Sequence, residues 1–172
     1  MRQDELASVL FTTLEELCAH CSWEQVNLTD VAGISFDVYP WHAYCALSIR
    51  SGSERNEYNP ADWKLFELAR TDKNSAFLKA AEAWHMADDE TPTRCAHQIF
   101  CAAAMAMLDR RPSLVPGGLR DHLLPEDFGF NHCLELMVFD VDRTFSFNYC
   151  EYLSACRQTG LSNDAISRVD PV

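Results

Sequence analysis

Residues 134–149, Leu-Glu-Leu-Met-Val-Phe-Asp-Val-Asp-Arg-Thr-Phe-Ser-Phe-Asn-Tyr, constrain the chain more than any other stretch. Read as a strand, Leu136 and Val138 face one way and Met137, Phe139 and Val141 the other, so both faces are apolar and both need cover. After Asp142-Arg143 the pattern turns to strict alternation: Phe145, Phe147 and Tyr149 against Thr144, Ser146 and Asn148. That predicts a half-buried partner strand and a hairpin, although the turn lacks the Asn-Gly or Asp-Gly pair of the tightest hairpins.

Further strands and helices are legible upstream. Residues 4–21 make the clearest amphipathic helix: Leu6, Val9, Leu10, Thr13, Leu14, Leu17 and Cys21 share one face, with Glu5, Thr12, Glu15, Glu16 and His20 opposite. Asp4 suits its N-cap. Ile34, Phe36 and Val38 alternate with Ser35, Asp37 and Tyr39, and Cys45, Leu47 and Ile49 with Tyr44, Ala46 and Ser48. Joined by Tyr39-Pro-Trp-His42, these two runs predict a second hairpin. Residues 60–69 carry competing signals. Asn59-Pro60 with Asp62 is a good helix start, while Trp63 and Leu65 alternate about Lys64 and favour a third strand.

Asn74 caps a predicted helix to about Ala87. Pro92 opens another, apolar almost all round from Cys95 to Leu108 and ended by Asp109-Arg-Arg-Pro112. Residues 112–129 read as an irregular connection, Glu151–Arg157 as a short helix or turn, and Gly160–Val172 as a frayed tail. The expected fold is one α+β domain over residues 1–172. It has a mostly antiparallel sheet of four or five strands packed against about three helices. A 172-residue chain with 48% hydrophobic residues can bury such a core.

Charge narrows the partners. The net charge of −12 repels phosphate backbones, which argues against nucleic acid and leaves a basic protein as the partner that such a surface would suit. No apolar run approaches the roughly 18 residues that span a membrane. The opening Met1-Arg-Gln-Asp-Glu-Leu-Ala7 lacks a basic region followed by an apolar core, so the expectation is the cytoplasm, where thiols stay reduced. The eight cysteines then read as small core residues, Cys45 being in phase with Leu47 and Ile49.

Several motifs suggest chemistry, each beside a plainer explanation. Val138-Phe-Asp-Val-Asp-Arg-Thr144 resembles the strand and Asp-x-Asp-x-Thr of haloacid-dehalogenase-like phosphotransferases. That resemblance implies a nucleophile at Asp140 and an acid/base at Asp142. Too little chain follows Thr144 for the rest of such a site, and two aspartates flanking a turn are the ordinary reading. Cys18, His20 and Cys21, with Cys95, His97 and Cys101, offer soft ligands for a structural zinc. Core packing on helices produces the same spacings. A thioredoxin-like role for Cys18 and Cys21 conflicts with their place at a helix end rather than a helix start.

Cys/His catalysis would need a concave site gathering His42, His97 or His132 with a Cys or Asp, and no cysteine stands in a nucleophile turn. No catalytic residue is assigned, and no cofactor is expected. Tyr39, Trp41, His42 and Tyr44 crowd a hairpin turn with residue types favoured in interfaces, which makes them the candidate partner-binding group.

The element order, with Tyr58-Asn-Pro-Ala-Asp-Trp63 and Met137-Val-Phe-Asp140, resembles a family of small bacterial cytosolic domains of unknown function. Some of those are suspected immunity proteins of polymorphic toxins. The resemblance implies no catalytic residues. It implies a non-enzymatic binding protein, with a small-molecule-binding or enzymatic Cys/His/aromatic pocket as the alternative and a zinc domain as the third reading.

Overall fold

The structure, a computed structural model, describes residues 3–39, 42, 44–54, 60–71, 92–114, 134–139 and 146–161. Among them five strands, β1 (Val31–Tyr39), β2 (Tyr44–Ser51), β3 (Leu65–Arg70), β4 (Leu134–Phe139) and β5 (Ser146–Asn148), form one sheet in the order β3-β2-β1-β4-β5. The β1–β2, β2–β3 and β4–β5 pairs are antiparallel, and β1 and β4 run parallel at the centre. The domain is therefore α+β, with a mostly antiparallel sheet.

Among the described residues three α-helices accompany it: α1 (Gln3–His20), α2 (Pro92–Leu114) and α3 (Tyr149–Gln158). Helix α1 packs on α2 and meets β2 and β3, while α3 packs on α2 and β4. Leu10 and Leu14 of α1 join Ile34, Phe36, Leu47, Ile49, Met107 and Leu136 as the largest fully buried side chains of one core. Each contributes about 1.5–3 kcal/mol by leaving water. The alternation read from the sequence supplies this apolar face, with Cys45 buried in phase as expected. Thr13, on the buried side of α1, satisfies its hydroxyl by donating to the Val9 carbonyl at 3.0 Å.

Several boundaries differ from the sequence reading. Helix α1 begins at Gln3, so Asp4 lies inside the first turn instead of capping it. Both signals at 60–69 are real: a single 3-10 turn, Pro60–Asp62, precedes strand β3. Helix α2 continues past Asp109 and Pro112 to Leu114. A proline in the last turn removes one backbone donor without stopping the helix there.

Strands β4 and β5 pair as the 134–149 pattern predicts, but Tyr149 opens α3 rather than prolonging the strand. The Asn148 side chain accepts from the Cys150 and Glu151 amides at 3.1 and 3.3 Å, and this N-cap outweighs one more step of alternation. The predicted 74–87 helix, the 112–129 connection beyond residue 114, Asp140, Asp142 and Arg143, and the tail after Leu161 lie outside the described residues. No described helix is long and apolar enough to cross a membrane.

Candidate functional site

Strands β1 and β2 have a second face, and it carries the polar residues Ser35, Asp37, Ser48 and Arg50. Their register sets Gly33 opposite Arg50, Ser35 opposite Ser48, Asp37 opposite Ala46 and Tyr39 opposite Tyr44. Strand alternation puts all of these on the side away from Phe36 and Leu47. All are nevertheless buried, and Ser35, Asp37 and Ser48 have no exposed surface. A buried polar face has to bond internally, because an unmet group there costs about 1–3 kcal/mol.

Asp37 is the centre of that bonding. Its Oδ1 accepts from the Ser35 hydroxyl at 2.6 Å and its Oδ2 from the Ser48 hydroxyl at 2.5 Å. Ala46, opposite, is small enough to leave the carboxyl room. Burial pushes this carboxyl up to about 7; the two serine bonds pull it down, and the Glu67 charge raises it further. At the far end, the Arg50 guanidinium lies 6.0 Å from the Trp63 ring centroid and donates to the Ala32 carbonyl at 3.5 Å.

Toward the hairpin end the polar face becomes aromatic and reaches solvent. Tyr39 and Tyr44 stack with ring centroids 4.5 Å apart. The Arg70 guanidinium sits over the Tyr44 ring at 4.3 Å, within cation–π range. Glu67 joins them: its Oε1 accepts from the Tyr44 hydroxyl at 2.9 Å, and its Oε2 lies 3.1 Å from the Arg70 guanidinium. The local backbone makes this possible. Leu47 pairs with Ala69 but Ile49 with Leu65, so β3 bulges between them. Within the bulge Glu67 takes φ 50°, a left-handed conformation unusual for a side-chain-bearing residue. The turn aims its amide at Ser48 Oγ, 3.1 Å away. The Arg70 side chain remains 51% exposed, so the cluster has an open end.

The residues predicted from sequence divide accordingly. Tyr39 and Tyr44 are brought together but buried, with 3% and 5% exposure, so they are a platform rather than exposed anchors. His42 is exposed, its ring centroid 6.5 Å from that of Tyr44. Trp41 lies outside the described residues. Asp37, Glu67 and Arg70 were missed. The available signal was Asp37 itself, since aspartate is depleted in strands and one in mid-strand needs a reason.

The described cysteines do not form a comparable site. Burial pushes the Cys18 thiol up to about 12, helped by Cys21 and Glu15, and pushes Cys21 to about 11. Cys101 is raised to about 12 by burial and the neighbouring Cys156, and Cys45 is raised by burial and by Asp37. His20 points along its own helix, its Nδ1 donating to the Glu16 carbonyl at 2.7 Å. Among the described residues no three of His, Cys, Asp and Glu stand together to hold a metal ion. The side chains of Cys95 and His97 are not among those described. Comparisons with protein-family profiles, curated proteins and solved structures found no match to this chain.

Proposed function

We propose that this chain is a non-enzymatic protein-binding domain that takes a basic partner, with the end of the β1–β2 hairpin as its contact face. The observation that carries the reading is Arg70, which would meet an acidic or aromatic group within the otherwise basic partner surface. It is half exposed, yet it is held by Glu67 at 3.1 Å and by the Tyr44 ring at 4.3 Å. Arginine and tyrosine are hot-spot residue types, and a side chain ordered before binding loses less entropy on contact. The exposed His42, whose ring centroid lies 6.5 Å from that of Tyr44, widens the same face. Glu5, Glu16, Glu24, Asp30 and Asp62 are exposed elsewhere, and with a net charge of −12 they would steer a basic protein toward the domain.

The resemblance to small bacterial domains makes a toxin-immunity inhibitor the specific form we favour, working by covering a basic toxin surface. A cytoplasmic location belongs to the same proposal, because Cys18, Cys21, Cys45 and Cys156 are unbridged thiols, suited to a reducing compartment. A Cys/His-lined catalytic pocket has less support. Thiols pushed up to about 11 or 12 stay protonated at neutral pH and are poor nucleophiles.

Capture of the tagged chain from its native host, followed by mass spectrometry, tests the reading. The expected result is a stoichiometric basic protein whose recovery falls as salt rises. Trp41→Ala should weaken that recovery while the domain remains folded. A chain recovered alone over a range of mild salt concentrations would count against the proposal and turn attention to small ligands.

A further inference from the structure

Asp37 has no exposed surface, so it cannot touch a partner, yet two hydrogen bonds tie it to the cluster that can. Its Oδ2 accepts from Ser48 at 2.5 Å, and Ser48 Oγ accepts from the Glu67 amide at 3.1 Å. The Glu67 carboxylate in turn holds the Tyr44 hydroxyl at 2.9 Å and Arg70 at 3.1 Å. We propose that Asp37 is a proton-operated latch on the hairpin-end cluster: ionised, it clamps Ser48 and keeps the β3 bulge and Arg70 in place, and protonated, it loosens them. This regulation rests on reading the hairpin end as the contact face.

The argument is a count of protons. A serine hydroxyl has one proton to donate and two lone pairs with which to accept. An ionised carboxylate only accepts, so Ser35 and Ser48 must both donate to Asp37. That commits the single Ser48 proton and leaves its lone pairs for the Glu67 amide. Distances of 2.6 and 2.5 Å are typical of hydroxyls bound to a charged carboxylate. Once protonated, Asp37 must donate from one oxygen. If that oxygen faces Ser48, the hydroxyl has to turn. If it faces Ser35, the Ser48 bond drops from charge-assisted to neutral. Either way the clamp weakens at the atom that holds Glu67, whose left-handed φ of 50° does not persist without support.

The surroundings are consistent with a switch near neutrality, because burial lifts Asp37 to about 7. Its own strand contributes Ser35 and Tyr39 to this face, β2 contributes Ser48, Tyr44 and Arg50, and β3 contributes Glu67 and Arg70. Cys45 also lies close enough to feel the Asp37 charge. On β4 the register partner of Asp37 is the uncharged Met137, and Glu135 stands opposite Ser35.

Nuclear magnetic resonance of the full chain from pH 5 to 9 tests the latch without any partner, so the outcome is independent of whether a basic protein is ever captured. The Asp37 carboxyl carbon, the Glu67 amide and the Arg70 side-chain NH would be followed, in wild type and in a His42→Gln background that removes the imidazole 6.5 Å from the Tyr44 ring. All three signals are expected to share one midpoint near 7. In Ser48→Ala the carboxyl should still titrate while the Glu67 amide no longer follows it, and Asp37→Asn should leave both cluster signals flat. A Glu67 amide that is flat in wild type, or that titrates equally in Ser48→Ala, overturns the latch. So does a carboxyl that shows no titration in this range.

Discussion

The two faces of the β1–β2 hairpin are buried to the same degree and made of opposite materials. One presents Ile34, Phe36, Val38, Cys45, Leu47 and Ile49 to the helices. The other presents Ser35, Asp37, Tyr39, Tyr44, Ser48 and Arg50, bonded within the sheet and onward to β3. The apolar face gains stability in proportion to area and needs only volume and shape. The polar face gains little net stability from each bond and is costly wherever one is lost, so what it supplies is defined geometry. Its geometry ends at Arg70, which is why we propose recognition for this face beside the folding role of the other.

Substitutions can break or sharpen that division. The largest effect is expected on the apolar side: Phe36→Ala should lower the unfolding free energy by about 3–5 kcal/mol in urea titration, through lost transfer energy and the cavity left behind. Asp37→Ala comes next, at about 1–3 kcal/mol at pH 8, because two buried hydroxyls lose their acceptor. If it costs as much as Phe36→Ala, the polar face is also a principal source of stability and the division fails.

The pH dependence gives a smaller and more selective test. The folded-state value of Asp37, about 7, lies above the ordinary aspartate value, so between roughly pH 4 and 7 the folded chain holds a proton that the unfolded chain has released. This group's contribution to stability is therefore full below about pH 4, falls as pH rises to about 7, and is flat above. Subtracting the Asp37→Asn profile from that of wild type should reveal this slope. A difference independent of pH would mean that the carboxyl ionises normally in the fold. Arg70→Ala should have the smallest effect on stability, under about 1 kcal/mol by thermal or urea unfolding, since its partners are a half-exposed ion pair and one ring face.

Periodicity made much of the fold readable. The apolar faces of α1, β1 and β2 follow directly from the spacing of Leu10, Leu14, Phe36 and Leu47, and the 60–69 stretch contained both of its elements in order. Non-local choices were not readable. Nothing in residues 134–139 marks them as the parallel neighbour of β1, because pairing across 100 residues leaves no local pattern. The candidate site was half legible. Tyr39, His42 and Tyr44 stood out by type, whereas alternation with Ser35 and Asp37 reads as a solvated face and concealed a buried one. Glu67 was hidden for a different reason: glutamate carries no signal for a positive φ, and the bulge arises from the register of two strands.

The most direct test of the division is partner recovery by Arg70→Ala, measured against wild type on samples whose unfolding curves have first been compared. The account predicts nearly coincident curves and a loss of most of the captured basic protein. Coincident curves with undiminished recovery would contradict it, because the exposed end of the polar face would then take no part in recognition.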